Sequence, residues 1–229
     1  MRFPTSLAST LGVLTAANIL AHRVFPQVDA AVSAAMVGSL AAIAGSSKLS
    51  ADDLGLSRAA APKGLRWGCI AAGVTTAAYG VAALVPAVRD AAASPTQSWS
   101  AALLQALVVI PLATVIPEEF AFRGVLWGLL NRRSGRRLAT WGSAAAFGLW
   151  HVLPALGGGA ANESAGGVLG SGPLGVAGLV LGTVVFTGLG GVVLAELRAR
   201  SNSLLAPMLL HWAINGLGVI FLQLADIGR

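Results

Sequence analysis

The chain has 229 residues and a formal net charge of +6; 55% of its residues are hydrophobic and only 10% are charged. Soluble domains run near a quarter charged, so an ordinary water-soluble fold is excluded, and an all-α bundle of bilayer-spanning helices takes its place. The basic residues sit in short clusters between apolar runs, the pattern of a topology signal in a lipid bilayer rather than of a nucleic-acid-binding face.

Apolar segments at 7–21, 30–45, 67–86, 99–116, 139–154, 174–195 and 203–224 predict about seven spans in one polytopic helical bundle. The first is read as a retained span, because Asn18-Ile19-Leu20-Ala21-His22 is a poor signal-peptide cleavage site. Residues 1–64 read as N-terminal helices with an inner loop, and 65–229 as the core. Arg2, Lys48, Arg58, Lys63, Arg66, Arg132, Arg133, Arg136, Arg137, Arg198 and Arg200 fall on one side of the alternating connections. Only Arg23, Arg89 and Arg229 fall on the other. The amino terminus is therefore expected inside and the carboxyl terminus outside.

The fourth apolar run continues past Glu118 and Glu119 to Leu130, too long for one upright helix, and a kink or break is expected at Pro111 or Pro117. The Gly- and Ser-rich stretch 157–175 reads as an external loop and an access gate. Gly64xxxGly68, Gly124xxxGly128 and Gly178xxxGly182 have the spacing of close helix packing in membranes. Cys69 stands alone and offers neither an intramolecular disulfide nor a thiolate metal site.

Five ionisable side chains lie within spans: Glu118, Glu119, Arg123, His151 and His211. Each costs at least about 2.5–3.5 kcal/mol at the bilayer centre on insertion scales, so each needs a reason to be there. Glu119 and Arg123 are one helical turn apart and can neutralise each other, with Glu118 turned away from them. Phe147 with His151, and His211 with Asn215, repeat the interval on two other helices. Counted from the basic connections, the glutamates, His151 and His211 lie about 18, 18 and 12 Å deep. A pure packing role accounts for the Glu119–Arg123 pair; it leaves Glu118 and two histidines at one depth unexplained.

Glutamate, histidine and asparagine together suit activation of water. Glu118 is placed as general base, His151 as the group that orients the water, and His211 with Asn215 as donors to an oxyanion. The other scheme gives the same carboxylates and histidines to a divalent metal that activates its bound water. No His-Glu-x-x-His helix and no Gly-x-Ser-x-Gly elbow occurs, and Asp226 has no aspartate partner.

Three motifs in order carry a resemblance. Glu118-Glu119-Phe120-Ala121-Phe122-Arg123-Gly124 looks like EExxxR, Phe147-Gly148-Leu149-Trp150-His151 like FxxxH, and His211-Trp212-Ala213-Ile214-Asn215 like HxxxN. The chain thus resembles the CPBP intramembrane proteases, which include CAAX prenyl endopeptidases and the Abi-type bacteriocin-processing and immunity proteins. Ser203-Leu204-Leu205-Ala206-Pro207 and Asp53-Leu54-Gly55-Leu56 are also similar to family sequences. The resemblance implies a multi-pass enzyme of a bacterial plasma membrane that hydrolyses a peptide or small membrane protein. It implies catalytic roles for Glu118, Glu119, Arg123, His151, His211 and Asn215, and a metal such as zinc, if one takes part, on Glu118, His151 and His211. The alternative is a non-catalytic immunity or regulatory protein that binds a peptide partner. A proton-coupled transporter is disfavoured, because the chain shows no repeated halves.

Overall fold

The computed structural model describes residues 2–24, 29–92, 97–157 and 172–225. Most of the gate expected at 157–175 lies outside the described residues, as do Asp226 and Arg229.

Every predicted apolar segment is helical. Helix α1, Phe3–Ile19, continues as a π-helical stretch, Leu20–Val24, and α2 spans Asp29–Ser46. A short capped helix, α3 (Ala51–Leu54), leads to α4 (Ala61–Ala83), and α5 (Pro86–Ala92) bends from α4 by 99°. Then come α6 (Trp99–Leu104), α7 (Ile116–Glu119), α8 (Trp127–Trp150) and α9 (Val152–Leu156), with π-helical Gln105–Val115 and Phe120–Leu126 on either side of α7. Helices α10 (Pro173–Ser201) and α11 (Leu205–Ala225) complete the bundle.

Among the described residues, four helices are by length and composition suited to cross a membrane, or five when the bent pair α4 and α5 counts as one span. One of these, Trp99–Leu156, has 58 residues, far more than the roughly 20 a bilayer needs. It folds back on itself at Gly135, whose φ of 81° and ψ of 170° interrupt the helix. Phe122 and Phe147, on opposite sides of that turn, pack edge to face at 5.2 Å. The hairpin therefore supplies two of the predicted spans, and α2, shorter than the rest, supplies another. Apolar side chains cover the outside as well as the inside: Val74, Leu174, Leu181 and Phe186 are all more than 60% exposed. Such a surface is built for lipid, and the chain is an integral membrane protein.

The expected break at Pro111 or Pro117 does not occur; the helix runs through both. Proline removes a donor and crowds the preceding turn, and here the backbone widens instead of breaking. The Ile116 N–H reaches back to the Pro111 carbonyl, five residues away. Pro117 sits in the first turn of α7, where a missing N–H costs least. A second wide turn follows, in which the Trp127 N–H bonds the Phe122 carbonyl. Glu118 and Glu119 thus occupy a single α-turn between two π-stretches, a form of helix common at functional sites.

Packing follows the glycines in part. A Cβ on Gly68 would lie 2.6 Å from the Leu209 side chain, and one on Gly64 would lie 2.4 Å from Ser203 Oγ, so α4 seats directly on the start of α11. Gly182, by contrast, has nothing within 4 Å. The core is shared by α1, α2, the hairpin, α10 and α11: Leu14, Leu40, Phe122, Leu126, Phe147, Leu194 and Leu210 are buried together. At one end of the bundle the Asp53-Leu54-Gly55-Leu56 segment fastens three elements. Arg198 of α10 donates to the Asp52 and Asp53 carbonyls at 2.9 Å, the Leu204 N–H bonds the Gly55 carbonyl at 2.9 Å, and Arg132 of α8 reaches the Lys48 carbonyl at 2.7 Å.

Candidate active site

The acidic pair sits where the hairpin and α11 meet. Glu119 and Arg123 are both wholly buried and paired through Oε1 and Nη1 at 2.9 Å, as their one-turn spacing predicts. Two uncompensated charges at this depth would be prohibitive, and the pair removes most of that cost. The guanidinium also lies 4.0 Å over the Phe147 ring and donates at 3.4 Å to the Gly191 carbonyl of α10.

Glu119 is not closed off by this pairing. The same Oε1 accepts a second hydrogen bond, from His211 Nδ1 at 2.8 Å. A carboxylate can only accept, so Nδ1 carries the proton and Nε2 is left to face the reaction space. Nε2 of His211 lies 3.9 Å from Glu118 Oε2. That oxygen is buried and makes no hydrogen bond among the described residues. The other Glu118 oxygen, Oε1, accepts from the indole N–H of Trp150 at 3.1 Å.

His151 ends the hairpin, half-buried at the break between α8 and α9. Its Nδ1 donates to the Phe147 carbonyl at 2.8 Å, which again fixes the tautomer and frees Nε2. Phe147 stands between the two histidines, 4.7 Å from the His151 ring and 5.9 Å from the His211 ring, edge to face with each. Asn215, one turn beyond His211, is half-buried, and no hydrogen bond ties it to the glutamates or histidines among the described residues.

The structure therefore joins Glu119, Arg123 and His211 directly, sets Glu118 3.9 Å from His211, brings His151 alongside through Phe147, and leaves Asn215 on the same helix as His211 without a direct link. Glu118, Glu119 and His211 are neighbours, yet no group of three His, Cys, Asp or Glu side chains is gathered to hold a metal among the described residues. His211 is turned to Glu119 by one nitrogen, and the Phe147 ring contacts both its ring and that of His151.

Reading for charge alone passes over two residues. Trp150 precedes His151 and donates to Glu118; Asn18, in α1, donates to the Trp150 carbonyl at 2.6 Å. Each was detectable as a hydrogen-bonding side chain in an apolar span, since such a group needs a partner.

A family model described as type II CAAX prenyl endopeptidase Rce1-like matches residues 98–217, just over half of the chain and the whole of this constellation. The chain belongs to that family. The Rce1-like region begins at the start of the hairpin's first leg and closes two residues after Asn215, so all three motifs lie within it. Membership makes the protein a member of a membrane protease family; α1 and α2 stand outside the match. No curated protein and no solved structure matches the chain.

Proposed function

We propose that the protein is an intramembrane endopeptidase of the bacterial plasma membrane in which Glu118 activates the water that hydrolyses a peptide bond. Its substrate is a membrane-associated or lipidated peptide or small membrane protein. The observation that carries this reading is the state of the Glu118 carboxylate: one oxygen is held by Trp150, and the other, without a hydrogen bond, lies 3.9 Å from His211 Nε2. That gap is too long for a direct hydrogen bond and short enough for one water to touch both groups.

In the reaction, Glu118 Oε2 takes a proton from the water as its oxygen attacks the scissile carbonyl carbon. His151, with its Nδ1 committed to the Phe147 carbonyl, accepts from the water at Nε2 and orients it. The carbonyl oxygen becomes an oxyanion that meets the His211 imidazole, which Glu119 holds in place at Nδ1. The Asn215 amide lies one turn along the same helix and supplies a second donor. Collapse of the intermediate breaks the carbon–nitrogen bond, and Glu118 returns its proton to the leaving nitrogen. Arg123 holds Glu119 stationary throughout.

Glu118→Gln keeps the shape and the indole contact and removes the base. Comparative peptidomics of membranes carrying the wild type or Glu118→Gln is expected to show a set of peptides cut only by the wild type. The loss for a missing general base is about 10²–10⁴-fold. Cleavage undiminished in a folded, inserted Glu118→Gln protein overturns the assignment.

A further inference from the structure

We propose that Asn18 of α1, acting through Trp150, is a positioning residue that sets the aim of Glu118. The chain of contacts is short: Asn18 Nδ2 donates to the Trp150 carbonyl at 2.6 Å, Trp150 Nε1 donates to Glu118 Oε1 at 3.1 Å, and the remaining Glu118 oxygen lies 3.9 Å from His211. The inference rests on the assignment of Glu118 as the base.

Local chemistry explains why Trp150 needs outside support. It is the last residue of α8, and the helix gives way at His151, where φ is −84° and ψ is 0°. The carbonyl of Trp150 would ordinarily be met by the N–H four residues on. That residue is Pro154, which has none. Asn18, itself only 7% exposed, supplies the missing donor from another helix. Packing holds the residue only in part: its ring meets Phe122 edge to face at 5.6 Å and His22 at 6.4 Å. Trp150 is half-buried and borders a cavity of about 250 Å³ lined also by Leu11, Leu14, Phe122, Leu149 and Leu153. With open space beside the indole, hydrogen bonds at its two ends, carbonyl and ring nitrogen, fix where it points. An indole that swings into the cavity releases Glu118 Oε1, and the carboxylate is then free to rotate away from His211.

The consequence is that α1, which lies outside the Rce1-like match, contributes to the site. The test uses the full chain in detergent, with ¹⁵N-labelled tryptophan and the Trp150 indole resonance assigned by its loss in Trp150→Phe. A carboxylate-bonded indole proton is expected to shift in Glu118→Gln and to shift again in Asn18→Leu, which keeps the volume of Asn18 and removes its donor. With a quenched-fluorescent peptide ending in a farnesylated CAAX box, Asn18→Leu is expected to lower kcat by about 5- to 20-fold with KM within twofold. Restoring an N–H with Pro154→Ala in the Asn18→Leu background is expected to recover part of kcat and of the resonance position. A role of Asn18 in stability alone would move neither the indole resonance nor the kcat of the folded fraction.

An indole resonance indifferent to Glu118→Gln, or an Asn18→Leu protein with unchanged resonance and kcat, overturns the proposal. A wild type that shows the indole responses yet cuts no peptide counts against the protease assignment and leaves the positioning contact standing.

Discussion

His211 Nδ1 and Arg123 Nη1 converge on one oxygen of Glu119, at 2.8 and 2.9 Å. Glu119 is therefore the joint between the hairpin and α11: it holds the arginine one turn away in its own helix and the histidine 92 residues further along the chain. Its second oxygen makes no hydrogen bond among the described residues.

Breaking this joint from one side is expected to be costly. Arg123→Met leaves Glu119 buried with a charge and only His211 to balance it, and a loss of about 3–5 kcal/mol is expected for such a broken buried pair. The double variant Glu119→Gln, Arg123→Met removes both charges and is expected to recover part of that loss. Unfolding in detergent, followed by circular dichroism for the two single variants and the double, measures the coupling.

Asn215 presents the opposite case. It shares no hydrogen bond with the site in the resting structure, so Asn215→Ala should leave unfolding unchanged. As an oxyanion donor it acts only when the tetrahedral intermediate forms, and a fall in kcat of about 10²–10³ with little change in KM is expected. Steady-state kinetics together with a melting curve separate the two effects; a large drop in stability with kcat intact assigns Asn215 to packing instead.

Much of this arrangement was legible before any coordinates. Seven apolar runs became helices, since a bilayer leaves a backbone of that length no other way to satisfy its polar groups. Glu119 and Arg123 met because residues four apart share a face. The wide turns around Glu118 were not legible: hydropathy says nothing of whether an N–H reaches four or five residues back, and Pro111 reads as a break where it is absorbed. Trp150 and Asn18 escaped for another reason. Neither carries a charge, so the cost of burying ions does not mark them, and their contact joins positions 132 residues apart.

The close seat of α4 on α11 gives a prediction with an internal control. Gly68→Val would drive a side chain into Leu209, where even a Cβ lies 2.6 Å away, and overpacking of this kind costs about 1–3 kcal/mol. Gly182→Ala, with nothing within 4 Å, should be neutral. Thermal unfolding of both variants in one detergent decides whether the glycine spacings differ in the way the structure says.

Gly55 adopts a φ of 75°, and a Cβ there would lie 2.4 Å from Arg198 Nε. Gly55→Ala is expected to destabilise by about 1–3 kcal/mol through backbone strain alone, and to loosen the Leu204–Gly55 bond that sets where α11 begins. Since His211 rides on α11, activity should fall further than stability does. Comparing the melting point with kcat below the transition tests this.

The hairpin that turns at Gly135 also bears on how the protein is made. Glu118 and Trp150 lie 32 residues apart within that hairpin, and both are threaded into the membrane before α10 and α11 leave the ribosome. Until α11 takes its place, Glu119 has Arg123 alone and His211 is absent from beside Glu118. On the assignment proposed above, the nascent chain carries its base without its oxyanion donors and stays inert until α11 is in place.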